Sequence, residues 1–145
     1  MILGFYPQFK EKILDGTKKH TLRADETDRW KVGRSIQFAT GVRTKEYNKF
    51  KDGKCVEIAE VSLWLGTRAI FIRLLTPVEE SPICKLYKGA FLGDAAILDP
   101  FGMNENPYAD FIRNDGFDSE DDFWLFFKAQ AKDFDEVVYK KLILW

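Results

Sequence analysis

Apolar positions change their spacing repeatedly along this chain, and each change marks an element. Residues 2–6 form a short apolar run stopped by Pro7, which predicts a first strand. Over residues 8–15, Phe9, Ile13 and Leu14 fall at helical spacing, and Gly16 stands where a helix end wants positive φ. Residues 24–29 are polar and predict a loop ending at Trp30. Lys31-Val32-Gly33-Arg34 reads as a turn into a strand from Ser35 through Ile36 and Phe38 to about Thr40. Residues 41–53, polar and lysine-rich, predict a hairpin excursion with Asp52-Gly53 as its tight turn. Residues 54–65 and 67–74 are the clearest strands, with Ile70, Ile72 and Leu74 alternating on one face.

The second half is less periodic. Residues 76–106 are punctuated by Pro77, Pro82, Pro100 and three glycines, yet they carry Ile83, Leu86, Tyr87, Phe91, Leu92, Ile97, Leu98 and Phe101. A disordered linker would not hold so many large apolar groups, so an ordered insertion of short helices and turns is expected, shaping a substrate entrance. A helix is predicted over residues 106–114, with Pro107 in its first turn. Another begins after Ser119, a good N-cap followed by Glu120, Asp121 and Asp122, which suit the helix dipole. Phe123, Phe126 and Phe127 give it an apolar stripe, and with Trp124 they predict core or a lid. A last strand over residues 137–144 would close a sheet. Strands outnumber helices, so the expected class is α+β: a small, closed or nearly closed barrel of mixed or antiparallel strands flanked by helices.

Length and composition narrow the function. At 145 residues the chain has the size of one domain, and 13 phenylalanines and four tryptophans can fill its core. No apolar run is long enough to span a membrane, and residues 1–5 lack the basic start and length of a signal peptide. A cytoplasmic protein with no membrane partner is therefore expected. Cys55 and Cys84 are too few for a disulfide framework, and with one histidine they do not make a zinc site; neither metal nor cofactor is expected. Cys55, opening a strand, predicts a buried hydrophobe.

Charge is unevenly placed. The net charge is −1, but residues 1–54 hold 13 basic and 7 acidic side chains, whereas residues 55–145 hold 9 and 16. Such polarity lets one surface meet an anion while the rest repels it. Solvation of whichever faces are exposed explains it equally. A pI near 5.9 argues against non-specific coating of nucleic acid.

Candidate chemistry concentrates in Gly16-Thr17-Lys18-Lys19-His20-Thr21-Leu22-Arg23. In an extended segment Thr21 and Arg23 share one face, while Lys18 points from the turn. A lysine serves as a base near neutrality only if desolvation or neighbouring cations bring its pKa well below about 10.4. Thr21 would then be a nucleophile activated by that amine, and Arg23 would hold a carbonyl oxygen or phosphate. Lys18 and Arg23 also read as solvated cations, and Thr21 as an ordinary strand residue. His20 has the ordinary pKa of a general base, but on a strand it alternates away from Thr21 and no partner is apparent; a surface or half-buried structural histidine is expected. Tyr6, Trp30 and Phe117 suit stacking on a nucleobase, but for each one core packing is the stronger expectation.

The pattern Gly16-x-Lys18-x-x-Thr21-x-Arg23, entered through Phe9, Ile13 and Leu14, resembles the signature of the ASCH family within the PUA-like superfold. Asp115-Gly116-Phe117-Asp118-Ser119, followed by Phe123 and Trp124, resembles a segment many ASCH proteins carry before a late helix. The resemblance spans roughly residues 2–50 and 109–145. It implies one ASCH domain over residues 1–145, a pseudobarrel with helices plugging its ends, and an insertion at about 76–106. For members that hydrolyse an acetylated cytidine it implies a catalytic lysine, threonine and glutamate. Lys18 and Thr21 match the first two. The acid falls near Asp115, one methylene shorter, where a turn or capping role serves as well. Gly16, Arg23, Tyr6, Trp30 and Phe117 are the candidates for contacting substrate. The implied function is a cationic pocket for a nucleotide, modified nucleoside or short single-stranded RNA, hydrolysing an N-acylated nucleoside. The alternatives are a non-catalytic RNA or modified-nucleotide binding module and a ribonuclease.

Overall fold

The structure, a computed structural model, describes residues 1–102, 104–132 and 136–145. Strand β1 (Ile2–Phe5) leads through a 3-10 turn at Pro7–Phe9 into the short helix α1 (Lys10–Leu14). Strands β2 (His20–Arg23), β3 (Ser35–Thr40), β4 (Asn48–Lys54), β5 (Glu57–Trp64) and β6 (Ala69–Leu74) follow. Helix α2 (Pro82–Leu86), the hairpin β7 (Phe91–Leu92) and β8 (Ala95–Leu98), helices α3 (Glu105–Asn114) and α4 (Glu120–Lys128), and strand β9 (Val137–Leu144) complete the described chain. It is an α+β arrangement.

Two sheets divide the strands. The smaller has the order β1-β3-β4, with β1 parallel to β3, and the larger has the order β2-β9-β5-β6-β8-β7, antiparallel throughout. The last strand therefore lies inside the larger sheet rather than at its edge. Leu142 pairs with Leu22 on one side and Ala59 on the other, and Ile143 with Thr21 and Ile58. Each sheet keeps its own edge strands, so the hydrogen bonds of neither close into a ring, and of the expected closed or nearly closed barrel the sheets show the mixed and antiparallel pairing but not the closure. The apolar alternation of β6 is as predicted, with Ile70, Ile72 and Leu74 buried.

Helix α4 starts as the sequence predicts: Ser119 caps it by accepting from the Asp122 N–H at 3.1 Å. Its Phe123 and Phe127 are buried and pack edge-on or tilted around Phe117, at centroid separations of 5.4 and 6.1 Å. Quadrupolar rings favour such offsets over face-to-face stacks. Leu14, expected on the buried face of α1, is half exposed because the helix ends there, leaving Phe9 and Ile13 to anchor it.

Two local expectations fail for tertiary reasons. Asp52-Gly53 is not a turn but lies within β4, and the chain reverses between Gly41 and Tyr47 instead. A Cβ on Gly53 would approach the Phe38 ring to 2.8 Å, so this glycine serves close packing rather than reversal. Residues 76–106 do form short helices and turns, but β8 also pairs with β6 and extends the main sheet. Met103 of that segment lies outside the described residues.

Candidate active site

Two helix ends bring the candidate residues together. Helix α1 ends with Gly16 at φ +86°, whose N–H reaches the Ile13 carbonyl, and the chain turns so that the Lys18 N–H meets the Lys12 carbonyl at 2.9 Å. Helix α3 ends in a Schellman turn: the Gly116 N–H reaches the Arg113 carbonyl at 2.9 Å and the Phe117 N–H reaches the Ile112 carbonyl at 3.2 Å. Gly116 takes the required positive φ, +97°. The Lys19 N–H then donates to the Asn114 carbonyl at 2.7 Å, fastening one helix end to the other. Asp115 thus caps α3 with its backbone while its side chain points inward.

Lys18, Thr21, Arg23 and Asp115 line one cleft of about 660 Å³, together with Phe5, Tyr6, Phe9, Phe117, Phe126 and Lys140 among others. That volume suits a small organic ligand. Lys18 is 2% exposed, and its Nζ donates to the His20 carbonyl at 2.9 Å and to the Asp115 carbonyl. Asp115 Oδ1 lies 3.8 Å from the same nitrogen. The rings of Phe9, Phe5 and Trp145 surround the ammonium at 4.9, 5.7 and 6.0 Å from their centroids. Burial disfavours the charged amine more than Asp115 favours it, and Arg23 and Lys12 add repulsion; the Lys18 pKa falls to about 8.

Thr21 and Arg23 share a face as expected, with Arg23 Nε donating to Thr21 Oγ1 at 3.3 Å. One Arg23 Nη reaches the Gly4 carbonyl at 2.5 Å, and the guanidinium lies 4.9 Å from the Phe5 centroid. Burial lowers the Arg23 pKa. Lys140, which also lines the cleft, donates to Gln130 Oε1 at 3.0 Å, and burial together with Arg23 lowers its pKa. Among the described residues neither cation has a carboxylate within ion-pairing distance. Tyr6 stands at the rim, 62% exposed, with its ring edge-on to Phe126.

Other expectations are corrected. Trp30 is buried in the core and does not line the cleft, because Asp25 accepts from the Arg29 and Trp30 N–H groups and folds the loop inward. Gly16 shapes the turn but does not line the cleft. Phe117 lines it while packed against Phe9, Phe123 and Phe126, so it forms a wall rather than a free platform. None of the described residues between 76 and 106 lines it. His20, expected at or near the surface, is fully buried and bonded to Asp115 and Tyr87. Lys140 and Gln130 join the cleft, and Tyr87 the group behind it, without a motif that marks any of them in the sequence. Only the paired lysines inside the apolar pattern of β9 carried a local signal. No protein-family model matches the chain, and neither does any curated protein or solved structure.

Gly116 is also a packing determinant of the site. A Cβ there would fall 2.8 Å from Lys18 Cδ and 3.0 Å from the Phe9 ring, on a backbone that L side chains rarely adopt. Gly116→Ala is expected to cost about 1–3 kcal/mol of stability and to displace the ammonium. Denaturant unfolding measures the first effect and the Lys18 NMR signal the second.

Proposed function

We propose that this chain is an ASCH-type domain of PUA-like fold whose cleft takes an N-acylated nucleoside or nucleotide and hydrolyses its amide, as in N4-acetylcytidine. The observation that carries the reading is the buried Lys18 amine. Its pKa near 8 leaves an appreciable neutral fraction close to neutrality, as a general base requires. Once neutral, the amine keeps two N–H donors, enough for the His20 and Asp115 carbonyls, and its lone pair is released.

Thr21 supplies the nucleophile. Its oxygen accepts from Arg23 Nε, which leaves its own proton free to be given away. The hydroxyl oxygen attacks the acyl carbon as its proton passes to Lys18. The tetrahedral intermediate collapses by breaking the carbon–nitrogen bond, and the Lys18 ammonium returns the proton to the departing exocyclic nitrogen. Water then attacks the threonyl ester, losing its proton to Lys18; the ester carbon–oxygen bond breaks, the carboxylic acid leaves, and the Lys18 ammonium returns the proton to Thr21 Oγ1. Arg23 steadies the oxyanion, and Asp115 orients the amine.

The paired cations Arg23 and Lys140 favour a second reading: a site that holds a nucleotide phosphate without turnover. One experiment separates the two. Pure protein is incubated with N4-acetylcytidine and its 5′-monophosphate between about pH 6 and 9, and cytidine and acetate are followed by chromatography. Release of both products is expected, faster on the alkaline side. Absence of release with saturable binding of the monophosphate, weakening as salt rises, would replace catalysis by recognition.

A further inference from the structure

Behind the cleft, a chain of buried polar groups has one self-consistent direction. Asn114 Nδ2 lies 3.2 Å from Tyr87 Oη, Tyr87 Oη lies 2.5 Å from His20 Nε2, and His20 Nδ1 lies 3.1 Å from Asp115 Oδ1. An amide nitrogen can only donate, so the tyrosyl oxygen accepts from Asn114 and gives its single proton to His20 Nε2. The imidazole then carries its proton on Nδ1 and donates it to the carboxylate. Burial acts in the same sense, lowering the His20 pKa and raising that of Tyr87, which keeps the ring neutral and the phenol protonated.

The end of this chain is an atom shared with the site. Asp115 Oδ1 lies 3.1 Å from His20 Nδ1 but 3.8 Å from Lys18 Nζ, too far for a close charge-assisted bond. We propose that His20 is a positioning residue, whose Nδ1–H holds the Asp115 carboxylate back from the Lys18 ammonium, and that Tyr87 and Asn114 fix the imidazole tautomer this requires. Without that hold, the carboxylate swings onto the ammonium and stabilises its charged form. The other charges facing Lys18 are Arg23 on β2 and Lys12 on α1, both repulsive; those facing His20 are Asp115, Lys18 and Lys19. None of these is altered by the variants below except through the relay itself.

The inference concerns the amine that the proposed reaction uses as its base, but its test needs no turnover. Lys18 is followed by NMR through its side-chain carbon and nitrogen shifts as pH is raised, in the wild type and in His20→Leu, His20→Asn and Tyr87→Phe. An asparagine amide reaches the place of His Nδ1 and retains the donor. The expected Lys18 midpoint stays within about 0.3 pH unit of wild type in His20→Asn, rises by about one unit or more in His20→Leu, and rises part-way in Tyr87→Phe. A purely structural histidine would lower the unfolding temperature in the variants without separating these midpoints. Equal midpoints in His20→Leu and His20→Asn would overturn the proposal. If His20→Leu fails to fold, the near-isosteric Tyr87→Phe decides, and an unmoved midpoint there overturns it. Loss of hydrolysis with unchanged midpoints would instead count against the relay while leaving the reaction standing.

Discussion

Lys18→Met is expected to lower kcat/KM for N4-acetylcytidine by about 100-fold or more, since a positioned general base contributes roughly 10²–10⁴. Methionine retains the aliphatic stem that packs between Phe9 and Phe5, so a folded protein without its amine is obtained. In the wild type, kcat/KM should climb with pH through a limb near 8 and level off above it, because only the neutral amine accepts the threonine proton. Stability supplies an independent check on the same amine. Its native pKa lies below its ordinary 10.5, so between about 8 and 10.5 the unfolded chain binds a proton that the native chain lacks. Wild-type stability relative to Lys18→Met therefore rises with pH across that window, and the burial penalty is present in full below it. Chemical unfolding of both proteins at several pH values measures this slope. A rate limb that persists in Lys18→Met, or a stability difference that is flat from 8 to 10.5, would remove Lys18 from the base role.

Glu57→Ala is expected to destabilise the fold by about 3 kcal/mol, lowering the unfolding temperature by about 10 °C. Glu57 opens β5 opposite Leu144, is fully buried, and accepts from Ser81 Oγ at 2.7 Å and the Ile83 N–H at 2.8 Å. Ser81 in turn caps α2 by accepting from the Cys84 N–H. Truncation strands two buried donors and leaves a cavity behind them. Glu57→Gln keeps an acceptor for Ile83 and, with the serine hydroxyl reoriented, a bond to Ser81; its cost should be about 1 kcal/mol. Equal losses for the two variants would show that the carboxylate itself, and neither side-chain volume nor the bonds an amide retains, governs this position. Because α2 delivers Tyr87 to His20, Glu57→Ala should also disturb the Lys18 midpoint.

Local sequence made some parts of this protein legible and left others dark. The last strand and the strand over residues 35–40 are legible from their apolar runs, although their partners are distant, and the Ser119 cap and the left-handed turn at Gly16 rest on interactions within a few residues, which capping chemistry reads directly. The pairing of Thr21 with Arg23 is of the same kind, since two residues on one strand face share a side. The burial of His20 is not legible locally because both of its partners lie far along the chain, 95 residues away at Asp115 and 67 at Tyr87. Trp30 packs in the core, as its apolar ring predicts, and Asp25, by accepting from the Arg29 and Trp30 N–H groups, holds its loop there and away from the cleft.

Spacing along the chain sets most of the elements, though neither the run of β4 through Gly53 nor the pairing of β8, and it sets the local cluster of amine, hydroxyl and guanidinium between Lys18 and Arg23. The meeting of two helix ends, the place of Asp115 beside Lys18, and the presence of Lys140 in the same cleft as Arg23 come from long-range packing. The difference is one of range. Helix ends, caps and strand faces are set by neighbours a few residues apart, whereas the affinity of a buried amine for its proton is set by desolvation and by charges brought in from the far end of the chain.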